Sequence, residues 1–545
     1  VVYPPLEDLE TYLKERQMRK VLFTVCVLVL LATPLAVVFA GGGGEASATG
    51  DDLIEIDVAK SEHPAQPIIQ DAPAHLAIAE KLNIKLNFIV MPSDDYTAKM
   101  KVWLATNQVP DLAYGGLADI RDFTDSIVPF GPMLDEHAPN LKRYFADNPD
   151  TRKLAVNNEF YFVPHQYYNR KILASYPLIR TDKLAEAGLE APKTFDELYD
   201  VLLALKKANP DSLIWANRNG TARLLSLVAY PMGSGWGMYF DKDVEGGKWL
   251  YGPVHEEFGY VLKYLANAFK DGLLDPDFAI TTADQWHEKQ SSDKTVWCWE
   301  NMSFAVRWNF ALRDIDPKFT WSPIWTLDGL QGRRMTYYGG LAAGGYVISA
   351  NSKYPERLIN LLDWMITPEG LDTVNWGIEG EHYQYKAGKS RPSRIDNYTV
   401  SGIDSVLHRD DKEVIPEVWK YYAEKTDPFR TYQSDQGVGL LDFVVLTDSG
   451  MEYPWDPPGE TDEWYELTGS DVGLHAPFLA PPFTDDEANT IKEMQTNVEN
   501  ILTPAFDKVI IGRMTEAEYR SAVDQAIKAG ALKIEEIYNA AEARL

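Results

Sequence analysis

The longest apolar run in the chain comes before anything that reads as a folded domain. From Val21 to Ala40 the sequence VLFTVCVLVLLATPLAVVFA carries no charge, with Arg16, Arg19 and Lys20 ahead of it and Gly41 to Gly44 behind it. A basic flank, an apolar core and a small-residue exit predict a secretory signal peptide, with Val38 and Ala40 in the small-residue positions before a cut at Gly41. About 20 apolar residues can also span a bilayer, so a retained membrane anchor is the competing reading; Pro34 and the glycine exit favour cleavage. Lipidation would need a cysteine at the cut, and Cys26 lies inside the apolar core. Met18 stands just before the basic pair, so residues 1–17 read as upstream sequence. The small and polar stretch Gly41 to Asp52 reads as a flexible leader.

Past the leader the pattern changes to short alternating runs and long amphipathic ones. Leu53 to Asp57 alternates as a strand, a helix is predicted around His75 to Leu82, and Ile84 to Val90 reads as a second strand. Later helices show their own starts. Thr194-Phe-Asp-Glu197, Thr484-Asp-Asp-Glu487 and Thr515-Glu-Ala-Glu518 are capping-box sequences, in which hydroxyl and carboxylate satisfy amides that lack a helical partner. Apolar stripes follow, through Phe195, Leu198, Leu202 and Leu205 and through Ile491, Met494, Val498 and Ile501. Glu256 to Lys270 forms another amphipathic run that stops at Gly272, and Pro355 suits the first turn before Leu358, Leu361, Leu362 and Met365. Strands alternating with long helices predict an α/β protein. Gly402 to Gly473 has weak periodicity and is rich in Asp, Pro, Tyr and Trp, so it reads as an irregular excursion.

Composition narrows the function classes. No second long apolar run follows Ala40, and 24% charged against 45% hydrophobic residues is ordinary for a soluble globular protein. A formal charge of -29 argues against nucleic acid as a partner, because phosphate binding relies on basic surface. Beyond the signal segment the only cysteine is Cys298, which excludes an intramolecular disulfide and a multi-cysteine metal site in the exported chain. The 15 Trp and 29 Tyr exceed what a core is expected to use, and point to aromatic binding surface.

Several longer motifs together resemble one family. Val109-Pro-Asp-Leu112 is similar to a short strand of the extracellular solute-binding proteins of family 1, and Phe160-Tyr-Phe-Val-Pro164 with Tyr168-Asn169 to their first lobe crossover. Ile179-Arg-Thr-Asp-Lys183, Ala187-Gly-Leu and Pro192-Lys-Thr-Phe-Asp-Glu-Leu198 resemble their most recognisable run. Lys270-Asp-Gly-Leu-Leu-Asp-Pro-Asp-Phe278, Pro355-Glu-Arg-Leu, Thr367-Pro-Glu-Gly370 and Asn375-Trp-Gly-Ile-Glu-Gly-Glu-His-Tyr383 are further matches, in order, from about Ala72 to Leu545. The resemblance implies a type II periplasmic-binding (Venus flytrap) fold, two α/β lobes closing by hinge motion, in the substrate-binding component of an ABC importer. It places lobe 1 at 53–165 and 341–401, and lobe 2 at 166–340 and 481–545, with 402–480 holding the irregular insertion and a third crossing. The first crossing is expected near Pro164 to Lys171 and the second near Tyr337 to Gly345, where YYGGLAAGG supplies hinge glycines or, alternatively, a strand needing close backbone approach.

If the ligand is a sugar, recognition needs aromatic faces for ring C–H surfaces and planar polar groups for hydroxyls. Candidate ligand-binding residues are Tyr114; His165, Tyr168 and Asn169 at the first crossover; Trp236 in a glycine loop; Trp299, Glu300, Arg307 and Trp308; Tyr338 in the second crossing; and Trp376 with Glu379. Strand alternation puts Trp297 and Trp299 on one face, either as a binding platform or as core. Asp94, Asp95 and Asp111 are acidic candidates that equally suit helix caps. Asp241-Lys-Asp-Val-Glu-Gly246 starts like a calcium loop, but Gly252 stands where a glutamate is required, so a surface turn is expected. His287-Glu288 lacks the second histidine of a zinc helix, and no nucleophile elbow or phosphate loop is present. The expected partners are a small carbohydrate ligand and the permease subunits, with no cofactor, no metal, a monomeric chain and a periplasmic or extracellular location. An oligopeptide receptor and a secreted carbohydrate-active enzyme remain the alternatives; the latter needs two carboxylates about 5–10 Å apart.

Overall fold

The computed structural model describes residues 52–62, 66–167, 175–292, 294–301, 303–336, 340–391, 412–422, 425, 428–439, 444–445, 474–475 and 478–545. The signal segment therefore lies outside the described residues, as do Tyr168, Asn169, Tyr338 and Met451 to Gly469.

Ten strands build the two sheets that position the site. The alternating run after the leader forms β1 (Ile54–Glu62) and, after the helix Pro73–Leu82, β2 (Ile84–Pro92). The strand expected at Val109 to Leu112 instead begins at Leu112 as β3 (Leu112–Gly116), because Pro110 cannot donate to the ladder. β4 is Val163–Tyr167, so Pro164 to Tyr167 belong to a sheet rather than to a crossing. The remaining strands are β5 (Tyr176–Arg180), β6 (Leu213–Trp215), β7 (Thr295–Glu300), β8 (Trp321–Pro323), β9 (Gly340–Ile348) and β10 (Val444–Val445).

Six of them form one sheet in the order β10-β4-β9-β3-β1-β2, and four form the other in the order β8-β5-β7-β6. In the first sheet β1 runs parallel to β2 and β3, while β9 runs antiparallel to both β3 and β4. The carboxyl ends of β1 to β4, at Glu62, Pro92, Gly116 and Tyr167, therefore share one edge. In the second sheet β6 is parallel to β7, β5 is antiparallel to both β7 and β8, and Tyr176 at the start of β5 pairs with Glu300 at the end of β7. The chain thus leaves the first sheet at a carboxyl edge and enters the second at one. Gly340, which pairs with Tyr167, brings it back to the same edge of the first sheet. From Tyr167 to Tyr176 an extended chain spans about 30 Å at most, so the two carboxyl edges lie within that reach.

Two of the glycines in this stretch, Gly344 and Gly345, fit the close-approach reading. A Cβ on Gly345 would stand 2.0 Å from the Val163 carbonyl oxygen, and one on Gly344 would stand 2.8 Å from that of Gly115. Close strand approach requires them, and neither lies in the left-handed region.

Helices cover both sheets. Thr484 and Thr515 cap Asp485–Ile510 and Glu516–Lys528 as reciprocal boxes, and Thr194 accepts from Glu197 N at the start of Phe195–Ala208. Asp485–Ile510, Glu516–Lys528 and Ala531–Glu542 pack with Glu256–Lys270 beside the second sheet. Part of the region expected to be irregular is helical, at Pro416–Tyr422 and Pro428–Gln436.

Candidate functional site

Loops at the carboxyl ends of parallel strands collect side chains that the sheet itself cannot bury, and here two such edges are joined by the crossings. On the first edge, Tyr114 lies near the end of β3, half-buried, with its ring edge-on to Tyr346 at 5.8 Å. Its backbone is clamped by Tyr96, whose hydroxyl donates to Tyr114 O at 2.8 Å and accepts from Tyr114 N at 2.9 Å. Burial pushes the Tyr96 phenol well above its ordinary pKa, so it stays protonated and can keep donating. The helix Leu117–Asp122 starts directly after β3.

On the second edge, Glu300 ends β7 with its side chain 4% exposed, and it gathers arginines. Arg218 follows β6 and places both Nε and Nη2 at 2.8 Å from Glu300 Oε2. Arg223, on the helix Gly220–Val228, donates to Oε1 at 3.2 Å, and Asn301 N donates to the same oxygen at 3.0 Å. The Arg218 guanidinium sits over Trp286 (5.2 Å) and over Phe304 (5.5 Å), and that of Arg307 lies 5.9 Å from the Phe304 ring. His287 packs on Trp286 and Phe304; burial, then Arg218 and Arg307, lowers its pKa, so it is held neutral. A water-sized cavity of about 10 Å³ lies among Trp215, Asn217, Arg218, Trp286, Trp299 and Glu300.

A groove of about 800 Å³ opens between Leu117–Asp122 and Asp485–Ile510. Two contacts cross it: Arg121 Nη1 donates to Phe483 O at 2.9 Å, and Lys492 Nζ pairs with Asp122 at 2.8 Å.

Of the residues expected from sequence, Tyr114, Glu300 and Arg307 stand at these edges. The others need correction or lie elsewhere. Trp297 and Trp299 do share a face, with rings in edge contact at 6.2 Å, but that face is core: Trp215 meets Trp297, and Phe195 stacks on Trp299 at 6.1 Å. Neither ring is available as a platform, because both faces of β7 are covered and all six of its residues are buried. Trp308 is buried against Trp286 and Trp321, and Trp236 packs edge-on against Phe506. Trp376 is buried beside Tyr383 in another region, where Glu379 pairs with Arg391 at 2.8 Å. His165 lies in β4, with nothing described of its side chain, and Tyr168, Asn169 and Tyr338 fall outside the described residues.

The calcium-like turn is a surface turn, as expected, with Lys242, Asp243, Glu245 and Gly246 exposed. Only Asp241, which ends the preceding strand, is buried, and Arg334, equally buried, approaches it at 3.3 Å and Asp243 at 3.5 Å while stacking 4.4 Å over Tyr230. Among the described residues no group of three His, Cys, Asp or Glu is placed to hold a metal ion. Burial raises the Cys298 thiol well above its ordinary pKa, which keeps it unreactive. Reading the sequence did not single out Arg223, His287 or Phe304 as site residues. Arg223 at a helix start just after a strand was the available signal.

Two helix-covered sheets joined at their carboxyl edges by the chain crossings define a two-lobed architecture. The profile of the bacterial extracellular solute-binding proteins matches residues 61–372, and the chain belongs to that family. Among curated proteins it is 25% identical to lipoprotein LipO of Bacillus subtilis over 386 residues, covering 66% of this chain and 74% of that one. It is 23% identical to the polygalacturonan/rhamnogalacturonan-binding protein YtcQ of the same organism, over 94% of this chain and 98% of that one. Among solved structures it resembles the alginate-binding protein AlgQ2 without calcium ion, with TM-score 0.70 and 17% identity over 92% of this chain and 100% of that one. The fold is the type II periplasmic-binding fold, two α/β lobes with hinge crossings. Among the described residues no helix is long and apolar enough to cross a membrane.

Proposed function

We propose that the protein is the extracytoplasmic receptor of an ABC importer and holds a sugar or oligosaccharide between its lobes without transforming it. The observation that carries this reading is the topology: both sheets turn carboxyl edges toward the crossings, and those edges carry Tyr114, Phe304, Glu300, Asn301 and three arginines. Aromatic faces and charged hydrogen-bonding groups form a surface suited to sugar rings and their substituents. Relatives named for carbohydrate ligands over most of the chain support the same class.

The mechanism is a population shift. Ligand that touches both edges stabilises the closed form by its differential contacts, and the closed form is what permease subunits recognise. A monomer suffices, since both edges come from one chain. The test is a thermal-shift and calorimetric screen of oligosaccharides against the exported chain, with products followed by chromatography. The expected result is a raised midpoint from a saccharide with no product formed. Stabilisation by peptides alone would overturn the sugar reading, and turnover of an oligosaccharide would overturn the receptor reading.

A further inference from the structure

We propose that the ligand is an acidic saccharide, whose carboxylate is held by Arg218, Arg223 and Arg307 at the carboxyl edge of the second sheet. This rests on the sugar-receptor reading and goes beyond it by assigning the charge class of the ligand. The chain as a whole carries a formal charge of -29, so its general field repels anions. Against that field, Arg218 and Arg223 pair with one buried carboxylate, and Arg307 lies against the same Phe304 ring that Arg218 faces. His287 is held neutral and adds no charge there.

A structural role for Glu300 alone would need less. One guanidinium can satisfy a carboxylate bidentately. Here Glu300 receives two N–H groups from Arg218, one from Arg223 and a backbone amide, so both its oxygens are already engaged. The Arg218 and Arg223 guanidiniums each offer five N–H donors in a fixed fork, of which Glu300 takes two from Arg218 and one from Arg223. Trp286 and Phe304 hold the Arg218 guanidinium by cation–π contact, which fixes its fork before a ligand arrives. The partial exposure of Arg218 and Arg223 (side chains 21% and 33% exposed) leaves them reachable from solvent. A planar carboxylate on a pyranose ring matches this fork, and the half-buried Phe304 supplies an apolar face beside it.

The exported chain is titrated calorimetrically with a galacturonate trimer, its fully methyl-esterified form, a neutral galactose trimer and a sulfated galactose trimer. The expected result is that the galacturonate binds, and that esterification, which removes charge but keeps the ring, weakens binding about 100-fold or more, as loss of charged hydrogen bonds predicts. Arg223→Gln and Arg307→Gln, each checked for an unchanged circular dichroism spectrum, are expected to weaken galacturonate binding about 10- to 100-fold each. Arg223→Lys is expected to recover part of that loss and so to separate charge from packing. Equal binding of acid and ester, or preference for the neutral trimer, overturns the acidic class and leaves the sugar receptor standing. Preference for the sulfated trimer overturns the carboxylate assignment. Binding of none of the four, with peptides binding instead, overturns both readings.

Discussion

Single residues show how far chemistry can be read without distance. The pattern correctly put Trp297 and Trp299 on one side of a strand, but alternation cannot say which side of a sheet covered on both faces meets solvent. The surplus of tryptophan is consumed largely by the core, where Trp215, Trp286, Trp297 and Trp321 are among the largest fully buried side chains. Trp299→Ala is accordingly expected to cost about 3–5 kcal/mol in urea denaturation, from lost burial plus the cavity left against Phe195. A cost under about 1 kcal/mol would show that the ring is not a packing element. Glu300 and Arg307 were legible as candidates, but the pairing of Arg218 with Glu300 was not: the two lie far apart in sequence, and only the parallel pairing of β6 with β7 joins them. A titrating residue gives a second test. His255 donates to Glu535 at 2.5 Å, and that bond, ahead of the opposing desolvation, raises its pKa. A raised pKa stabilises the fold fully below the ordinary histidine value near 6.5, and the benefit disappears as pH rises through the folded value. The midpoint difference between wild type and His255→Gln is expected to shrink from pH 5.5 to pH 8.5, and a difference that grows would sink the assignment.

Among elements, helix starts were the most legible feature, because a capping box is local chemistry. Thr484 and Glu487 satisfy each other's amides as the sequence predicts, and Thr484→Ala is expected to cost about 1 kcal/mol by thermal denaturation. Strand limits were less legible, since pairing partners set them: β1 extends to Glu62 because β2 accompanies it to Pro92. The β9 glycines show the same dependence on partners. Gly345→Ala must move β9 away from β4 and is expected to cost about 2 kcal/mol or more. Gly116→Ala, with nothing within 4 Å of the added methyl, serves as the paired control and is expected to change stability little. Equal effects at the two positions would rule out close approach as the reason for Gly345.

The whole molecule was recognisable from the order of its motifs, while its contact surface between lobes was not. Arg121 to Phe483 and Asp122 to Lys492 join segments more than three hundred residues apart, which no periodicity anticipates. Closure around ligand is expected to reduce the radius of gyration in X-ray scattering when a binding oligosaccharide saturates the protein. An unchanged scattering profile, with binding confirmed calorimetrically, would argue for a rigid receptor.

The buried pair of Arg334 with Asp241 has a consequence for life outside the cell. Asp241 ends one strand of a hairpin, Met238–Asp241 paired antiparallel with Lys248–Tyr251. Divalent salts outside the cell rise and fall beyond the organism's control, and a hairpin that needed one as its counter-ion would inherit those fluctuations. Here a covalently attached cation occupies the acidic turn, so the hairpin carries its own neutralising charge. Chelator and millimolar calcium are expected to leave the melting midpoint alike, whereas Arg334→Met, which strands a buried carboxylate, is expected to cost about 3–5 kcal/mol.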